Sequence, residues 1–249
     1  MNIVVCLKRV PDSAAKIKVA ADGKSIDPAG VDHVISPYDE IALERALQLK
    51  EQHGGKVTVI CLGVAEAQKE IRQALAMGAD EAVHLKDTGG DRGPLEIATA
   101  LAESIRALEF DLVMFGKQSI DADNGAVGIM VACVLDLPVV SLVTKLDVED
   151  GTIVAHREAE GGTEVIEVAA PAVVTAQRGL AEPRYPSIKG IMAAKKKPID
   201  AQEAPAPAGT MSLDKMEPPP ERQGGRIVGS GADAVPELVR LLRQEAKVL

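Results

Sequence analysis

A polar loop at residues 116–125 carries the groups best suited to hold a small anionic ligand. It reads Gly-Lys-Gln-Ser-Ile-Asp-Ala-Asp-Asn-Gly and lies between an apolar run and a helical pattern. The start of a helix offers unpaired backbone N–H groups and a positive dipole end to a phosphate, and Gln118, Ser119 and Asn124 can add hydrogen bonds. The spacing matches neither a Walker A loop nor a GxGxxG motif. Taken alone, it favours a plain strand-to-helix connection over a phosphate loop.

The docking segment, residues 182–198, is the second candidate for function. Prolines stiffen both of its ends. Between them Ile188, Ile191 and Met192 recur at i, i+3 and i+4, which places a small apolar patch on one helix face beside the lysines at 195–197. Such a patch fits protein docking, but the pattern alone favours an ordinary surface helix that covers a corner of the core.

The sequence lacks the residue patterns typical of hydrolytic or metal chemistry. It contains no Ser-His-Asp or Cys-His nucleophile pattern, no paired-carboxylate site, no CxxC motif and no pair of histidines at ligand spacing. Cys6, Cys61 and Cys133 each lie in an apolar run, so we expect three buried thiols in a reducing compartment. We therefore expect neither catalytic residues nor a metal in this chain.

Composition narrows the classes of partner. The net charge of −9 argues against a general nucleic-acid binder, which needs a basic surface. Aromatic residues make up 2% of the chain, which leaves little surface for stacking a base or a flavin. No basic leader precedes the first strand pattern, and no apolar run is long enough to span a bilayer. We expect a cytoplasmic protein without membrane insertion.

Short apolar runs alternate with helical patterns, which is the rhythm of a parallel sheet covered on both faces. The predicted strands are at residues 3–7, 57–62, 82–85, 112–115 and 139–142, and the predicted helices at about 38–52, 65–77, 93–108 and 124–136. Ser36 as N-cap, Pro37 at the first helical position and Asp39 at N3 predict a capping box for the first helix. This order brings the polar loop to the carboxyl edge of the sheet, where such sheets bind ligands.

Two predicted antiparallel segments and a long tail depart from this alternation of strands and helices. Residues 16–26 predict a hairpin around an Asp-Gly turn, and residues 143–170 predict a second antiparallel excursion. The Pro/Gly-rich tail at 200–225 cannot fold alone and leads into a helix capped by Asp233, with an apolar stripe of Val235, Leu238, Val239, Leu242 and Ala246. We predict a domain over residues 1–199 and an assembly arm over 200–249. The alternative is a terminal helix that folds back on its own domain.

Five motifs in register, over residues 1 to about 200, resemble the electron-transfer flavoprotein β-subunit family. They are the opening at residues 7–12 (Leu-Lys-Arg-Val-Pro-Asp), Ala-Leu-Ala-Met-Gly-Ala-Asp at 74–80, Gly-Lys-Gln-Ser-Ile-Asp-Ala-Asp at 116–123, the stretch at 155–175 and the docking segment, which resembles the family's recognition loop. The resemblance implies an α/β, Rossmann-like fold of the adenine-nucleotide-binding type. Its sheet would be mainly parallel with helices on both faces, antiparallel excursions and an extended C-terminal arm.

The resemblance also implies AMP as a structural ligand of this chain and a redox FAD held mainly by an α subunit. The positions that match the family's AMP contacts are Cys6, Ser36, Pro37, Tyr38, Asp39, Leu62, Gly116, Lys117, Gln118, Ser119, Ile120, Asp121, Ala122, Asp123, Asn124, Gly125, Ala126 and Val127. AMP-type relatives tend to carry a polar Asn-Gln-Thr-like run where residues 125–127 stand. Backbone amides would therefore have to replace the hydroxyl that Val127 lacks.

The implied partners are the α subunit in a heterodimer, acyl-CoA or similar dehydrogenases, and a membrane quinone oxidoreductase. The residues expected at the docking surface are Glu182, Arg184, Tyr185, Ile188, Ile191, Met192, Lys195, Lys196 and Lys197, with Ile188 as the anchor. Glu158 matches a glutamate that lies near the α-subunit flavin in the family. From its position beside Arg157, it could instead form a surface ion pair.

The sequence leaves two alternatives open. The chain could belong to the bifurcating members of the family, which bind a second FAD in place of AMP and use NADH. It could also be a universal-stress-type nucleotide-binding sensor with no redox role. That second alternative leaves the docking segment and the long arm unexplained.

Overall fold

The computed structural model describes residues 1–87, 91–220 and 224–249. In chain order its strands are β1 (Asn2–Leu7), β2 (Arg9–Pro11), β3 (His33–Ile35), β4 (Lys56–Gly63), β5 (Glu81–Lys86), β6 (Leu112–Gly116), β7 (Val139–Glu149), β8 (Thr152–Ala159), β9 (Gly162–Ala169), β10 (Ala172–Ala176) and β11 (Asp200–Glu203). Its helices are α1 (Pro37–His53), α2 (Gln68–Met77), α3 (Pro94–Arg106), α4 (Val127–Leu135), α5 (Ile188–Ala194) and α6 (Val235–Gln244). The predicted α/β class is confirmed.

Strands from the described residues form a large, mostly parallel sheet in the order β11-β5-β4-β1-β6-β10-β7-β8-β9. The pairs from β11 through β7 are parallel, and β7, β8 and β9 are antiparallel to one another. From β1 the chain first adds β4 and β5 on one side and then places β6 on the other. The strand order therefore reverses between β1 and β6, and ligands bind beyond the carboxyl ends at such a reversal.

The core lies on both faces of this sheet, as predicted. Alternate residues of β1 point to opposite faces, with Ile3, Val5 and Leu7 in one buried cluster and Val4 and Cys6 in the other. Helices α1 and α2 cover the first face, and α3 and α4 cover the second. Because the core uses Val, Ile, Leu and Ala, the scarcity of aromatic residues does not prevent close packing.

The two antiparallel excursions have different outcomes. The predicted strand at 139–142 continues through a bulge near Leu142, whose φ is 61°, into the longer β7, and tight turns then connect β7, β8 and β9. The hairpin at 16–26 is reduced to one bridge between Val19 and Ile26. The sequence pattern also missed the small β2–β3 sheet, because strands of three residues carry too few alternations to be recognised.

The chain divides into two compact units, Met1–Lys215 and Met216–Leu249. Strand β11 pairs with β5 inside the first unit, so the sheet continues past residue 199. In the second unit, a short 3₁₀ turn at Ala232–Ala234 leads into α6, and Asp233 makes no side-chain cap because the helix begins after this turn. The division after residue 199 stays a proposal about which segments assemble with a partner.

Two local predictions need correction. Cys6 and Cys61 are buried, but Cys133 is exposed, because only one face of α4 packs on the sheet and Cys133 lies on the other. Helix α4 begins at Val127 rather than at residue 124, because the preceding loop turns through positive φ at Asp123 and Gly125. Among the described residues, no helix combines the length and the apolar character needed to cross a membrane.

Candidate functional site

A cavity of about 300 Å³ opens at the carboxyl edge of the sheet, where the strand order reverses. The ends of β1 and β6, the loop between β6 and α4, and the start of α3 surround it. Of the predicted nucleotide contacts, those that line it are Cys6, Asp39, Leu62, Gly116, Lys117, Gln118, Ser119, Ala122, Asn124, Gly125, Ala126 and Val127. Residues that are more than a hundred positions apart in sequence therefore share one cavity.

Asp39 holds the two central strand ends together. Its buried carboxylate accepts hydrogen bonds from the backbone N–H of Lys8, just after β1, at 2.8 Å and from that of Gly116, at the end of β6, at 2.9 Å. The predicted capping box is therefore wrong. Ser36 is the N-cap and Pro37 the first residue of α1, but Ser36 makes no side-chain cap, and Asp39 turns toward the strands instead. A carboxylate so placed satisfies backbone donors that the sheet itself leaves unpaired.

Burial controls the acid–base chemistry of this edge. It raises the pKa of Asp39 to about 7, although the hydrogen bonds from Lys8 and Gly116 oppose the shift. Burial, reinforced by the Asp39 carboxylate, raises the pKa of the Cys6 thiol well above its usual range and that of Cys61 to about 12. Both thiols are protonated at neutral pH, so they are poor nucleophiles.

Cationic groups face the cavity from several directions. The ammonium of Lys8 lies 2.8 Å from Asp121 and 3.3 Å from the Ser119 hydroxyl, which holds it beside the polar loop. The Lys117 ammonium lies 4.9 Å from the centre of the Tyr38 ring, in a cation–π contact. Arg92 also lines the cavity, just before α3, but its guanidinium is already paired with Asp87. The two lysines make this side of the cavity favourable for a phosphate.

The start of α4 supplies backbone amides to the same cavity. Gly125, with φ 60°, turns the chain into the helix, and Ala126, Val127 and Gly128 line the wall. Gly128 packs closely, since a Cβ there would lie 3.0 Å from the Thr175 side chain. The first N–H groups of a helix have no intrahelical partner. They therefore remain suitable donors where Val127 contributes no hydroxyl.

Some predicted nucleotide contacts support the site instead of lining it. Ser36, Pro37 and Tyr38 form the start of α1 behind Asp39, and Ile120, Asp121 and Asp123 shape the loop. Asp121 positions Lys8, and Asp123 accepts a hydrogen bond from the Gln118 amide at 2.7 Å. Tyr38, Asp121 and Asp123 thus contact residues that line the cavity, whereas Ser36, Pro37 and Ile120 are not among the lining residues.

The sequence analysis missed several lining residues. They are Leu7, Lys8, Arg92, Pro94, Ile97, Leu101, Phe115, Gly128 and Met211. Lys8 stands in the opening motif and could have been selected as a cation beside a strand end. The residues of α3 gave no signal, because an apolar helix face that lines a cavity looks the same as one that covers a core. Met211 lies in the tail, whose composition suggested an arm.

The docking segment forms the predicted short helix α5. Ser187 caps it by accepting a hydrogen bond from Gly190 N–H at 3.0 Å. The apolar side chains point outward, with Ile188 83% exposed, Met192 59% and Ile191 46%. Tyr185 is 96% exposed. Four large apolar side chains exposed on one short segment are unusual for a surface that only faces water.

Other residues of the docking segment face inward and hold it in place. Arg184 forms an ion pair with the buried Glu44 at 2.8 Å and contacts Glu51, which raises the pKa of its guanidinium. Arg72 of α2 donates to the carbonyl of Ala194 at 2.7 Å and also to that of Lys197. A Cβ at Gly190 would clash with the Ala76 carbonyl oxygen, so α5 packs directly on α2.

The predicted docking residues therefore have different surroundings. Glu182, Lys195 and Lys196 are exposed beside the apolar patch. Arg184 is tied to α1, and the Lys197 ammonium donates to the carbonyl of Ala79. These last two side chains are available to a partner only in part, because the fold already uses their charges.

Glu158 lies exposed near the end of β8. Its neighbour Arg157 pairs with Glu164 of β9 at 2.6 Å, across the strand pair. The Arg157–Glu158 ion pair considered from the sequence does not form, because successive residues of a strand point to opposite faces. Within the described residues, Glu158 has no ion-pair partner of its own.

Comparison with known proteins identifies what this chain resembles. The family described as "Electron transfer flavoprotein domain" matches residues 24–207. The chain is 41% identical to the electron transfer flavoprotein subunit beta of Bacillus subtilis, with 100% of both chains covered. It is 39% identical to the subunit of the same name from Bradyrhizobium diazoefficiens, with 100% of both covered, and 38% identical to that of Homo sapiens, with 98% of both covered.

Proposed function

Because this chain belongs to the electron transfer flavoprotein family, as a β subunit, we propose that it works as one half of a heterodimeric electron carrier. Its α partner would hold most of the redox FAD. The heterodimer would accept electrons from acyl-CoA and related dehydrogenases and deliver them to a membrane quinone oxidoreductase. In this proposal the chain contributes binding and orientation, and the flavin contributes the redox chemistry.

The cavity at the β1–β6 edge would hold AMP as a structural ligand. This is the observation that carries the proposal: one cavity combines a helix start, the Ser119 hydroxyl and the cations Lys8 and Lys117 with apolar walls. The first set of groups suits a phosphate and the second suits a base. A volume of about 300 Å³ lies at the small end of ligand cavities, which favours a mononucleotide.

Acid extraction of the purified heterodimer tests this assignment. We expect one FAD and one AMP per heterodimer, identified by chromatography against standards. A heterodimer that releases one FAD and no adenine mononucleotide would refute the proposed role of the cavity. Two FAD and no AMP would instead establish the bifurcating alternative.

The bifurcating alternative rests on one specific observation. Val127 lines the cavity at a position where AMP-type relatives tend to carry a hydroxyl, so the phosphate contacts differ from the usual pattern. A second FAD contains an AMP portion and would add a flavin to it. That larger ligand needs more space than the cavity offers without movement of its walls. NADH oxidation by the purified heterodimer would distinguish this function from simple electron carriage.

The docking segment would bind dehydrogenases through its exposed patch. Ile188 is central in this patch and is the most exposed of its aliphatic side chains. An isolated side chain so presented fits an anchor that enters a pocket on a partner. The lysines at 195 and 196 would add electrostatic steering toward an acidic surface. A universal-stress-type sensor would have no use for this segment.

The arm at residues 200–249 would assemble with the α subunit. Val235 and Leu238 of α6 are exposed, and Val239 and Leu242 are partly buried, so the apolar stripe is open to a partner. A chain that ends after Lys215 keeps β11 and the rest of the first unit, so it should fold, by circular dichroism, and lose much of its affinity for α. Four such side chains contribute roughly 1.5–3 kcal/mol each before ordering costs. If the truncated chain binds α as well as the full chain does, or if it is unfolded, the proposed assembly role of the arm is wrong.

A further inference from the structure

The strap, residues 204–213, crosses the start of α3 after leaving β11. Side chains and backbone around that helix start anchor it at intervals. The bonds are Ala204 N–H to the Lys86 carbonyl at 2.9 Å, Arg92 to the Pro205 carbonyl at 2.5 Å, Ala208 N–H to Glu96 at 2.7 Å and Leu213 N–H to Asp91 at 2.5 Å. A Pro/Gly-rich tail with this many backbone anchors has a defined path.

Arg92 connects the strap to the sheet. Its guanidinium makes two hydrogen bonds to Asp87, at 2.9 and 3.1 Å, while also donating to the strap at Pro205. The Arg92 side chain is 6% exposed, so this arrangement is built into the fold. Because Arg92 also lines the cavity, the strap is fixed beside the proposed nucleotide site.

Met211 is the residue of the strap that reaches the cavity. It lines the cavity together with Pro94, Ile97 and Leu101 of α3. Its Cβ lies 4.0 Å from the position that a Cβ at Gly93 would occupy, at the start of the same helix. The side chain is nevertheless 51% exposed, so part of its surface is available to whatever fills the cavity.

We propose that the strap is a wall of the nucleotide cavity and that Met211 contacts the aromatic base of the bound nucleotide. This inference rests on the proposed function, because it assigns a part of the same site. The groups that suit a phosphate lie in the polar loop and at the start of α4, which leaves the apolar wall of α3 and the strap for the base.

The chemistry of methionine supports this assignment. A thioether is polarizable and makes favourable contacts with aromatic rings, and its flexible chain adapts to a flat ligand. The chain has two Phe, two Tyr and no Trp, so aromatic stacking on the base is scarce. Of these, Phe115 alone is a lining residue among the described part of the chain. Met211 would supply contact area that aromatic residues supply elsewhere.

Nucleotide retention by the intact heterodimer tests the strap. Wild-type and Met211→Asp heterodimers are dialysed for increasing times, and the AMP remaining per FAD is measured after acid extraction. A carboxylate against the base should accelerate loss of the nucleotide by about tenfold or more. Ser212→Asp is the matched control, since it adds the same charge to the exposed next residue of the strap. Met211→Leu, which conserves the apolar volume, should retain AMP nearly as well as the wild type.

The outcomes separate the strap from the proposed function. If the wild type contains AMP and loses it at the same rate as Met211→Asp, the strap proposal is overturned and the proposed function stands. Absence of AMP and FAD from the β-subunit site of the wild type would refute the proposed function and the strap with it. If the Met211→Asp heterodimer does not assemble, Met211→Ala decides in the same assay, with a smaller acceleration supporting the proposal and an unchanged rate overturning it.

Discussion

The cavity edge and the docking segment place charged and apolar groups in opposite ways. At the cavity edge a buried carboxylate, Asp39, holds two strand ends, and the apolar walls face inward around a small volume. In the docking segment the arginines Arg72 and Arg184 hold a short helix from inside, and the apolar side chains face outward. The first arrangement suits a small ligand, and the second suits a protein surface.

Both regions depend on preorganisation. A short helix such as α5 is marginal by itself, so the cap from Ser187 and the bonds from Arg72 keep its exposed face in one orientation. The cavity likewise depends on contacts around Asp39. If the two regions serve different ligands, a substitution in one should leave the function of the other intact.

The largest effect is expected from Gly116→Ala at the cavity edge. A Cβ there would lie 2.5 Å from the Asp39 carboxylate and 2.6 Å from the Tyr38 backbone carbon, so strand or helix must move. We expect a loss of about 3 kcal/mol in the free energy of unfolding, measured by denaturant titration, with loss of bound nucleotide. Gly162→Ala, in β9 and outside the lining of the cavity, is the control, because a Cβ there would have no described neighbour within 4 Å. Equal stability of the two variants would contradict the role of Gly116.

Ile188→Ala tests the docking segment without touching the cavity. Truncation of a buried anchor costs about 2 kcal/mol, so electron transfer from an acyl-CoA dehydrogenase at sub-saturating concentration should slow roughly thirtyfold. Flavin absorbance and AMP content should match the wild type. The exposed neighbour Lys189 provides a control, since Lys189→Ala should change the rate little. An unaltered transfer rate in Ile188→Ala would remove the anchor role.

Arg72→Ala tests whether the hydrogen bonds from Arg72 to the end of α5 orient Ile188. Loss of the guanidinium leaves the carbonyls of Ala194 and Lys197 without this donor, which should fray the end of α5. We expect KM for the dehydrogenase to rise about fivefold, equivalent to about 1 kcal/mol, while kcat stays the same. Arg72→Lys should restore part of the effect. A change in kcat alone would place Arg72 in another role.

The smallest effect is a pH dependence of nucleotide affinity. Burial raises the pKa of Asp39 to about 7, so the carboxyl loses its proton as the pH rises through this value. A new negative charge at the cavity weakens phosphate binding, so affinity should fall a few-fold between about pH 6 and 8. For folding the sign is the same, because the native state holds the proton to higher pH than the unfolded state and stability decreases as pH rises toward 7.

Isothermal titration of nucleotide-depleted heterodimer with AMP measures this dependence. Asp39→Asn removes the titrating group and keeps one of the two acceptor oxygens, so its pH profile, and not its absolute affinity, is the reference for the titration of the phosphate itself. The difference between the two pH profiles isolates Asp39. Superimposable profiles would show that Asp39 keeps one charge state over this range.

The sequence alone was sufficient to predict the elements that follow from a local repeating pattern of apolar and polar residues. Alternating apolar runs and helical patterns predicted the parallel sheet and helices α1 to α4 within a few residues, because burial on both faces requires this pattern. The motifs also indicated the family and, through its recognition loop, the exposed patch of Ile188, Ile191 and Met192. The i, i+3, i+4 spacing of these residues placed them on one face but by itself favoured a helix that covers the core.

Only the tertiary structure decided which hydrogen-bond and ion-pair partners individual side chains have. Asp39 follows a helix-cap pattern, yet the strand ends of β1 and β6 offered it two backbone donors, and long-range hydrogen bonds outweighed the local one. Arg184 belongs to a segment that reads as a docking surface, but it pairs with a glutamate 140 positions away. Met211 lines the cavity because the tail passes over α3. Local periodicity in the sequence indicates which residues are buried and whether they form a helix or a strand. Contacts between distant segments depend instead on the three-dimensional path of the chain.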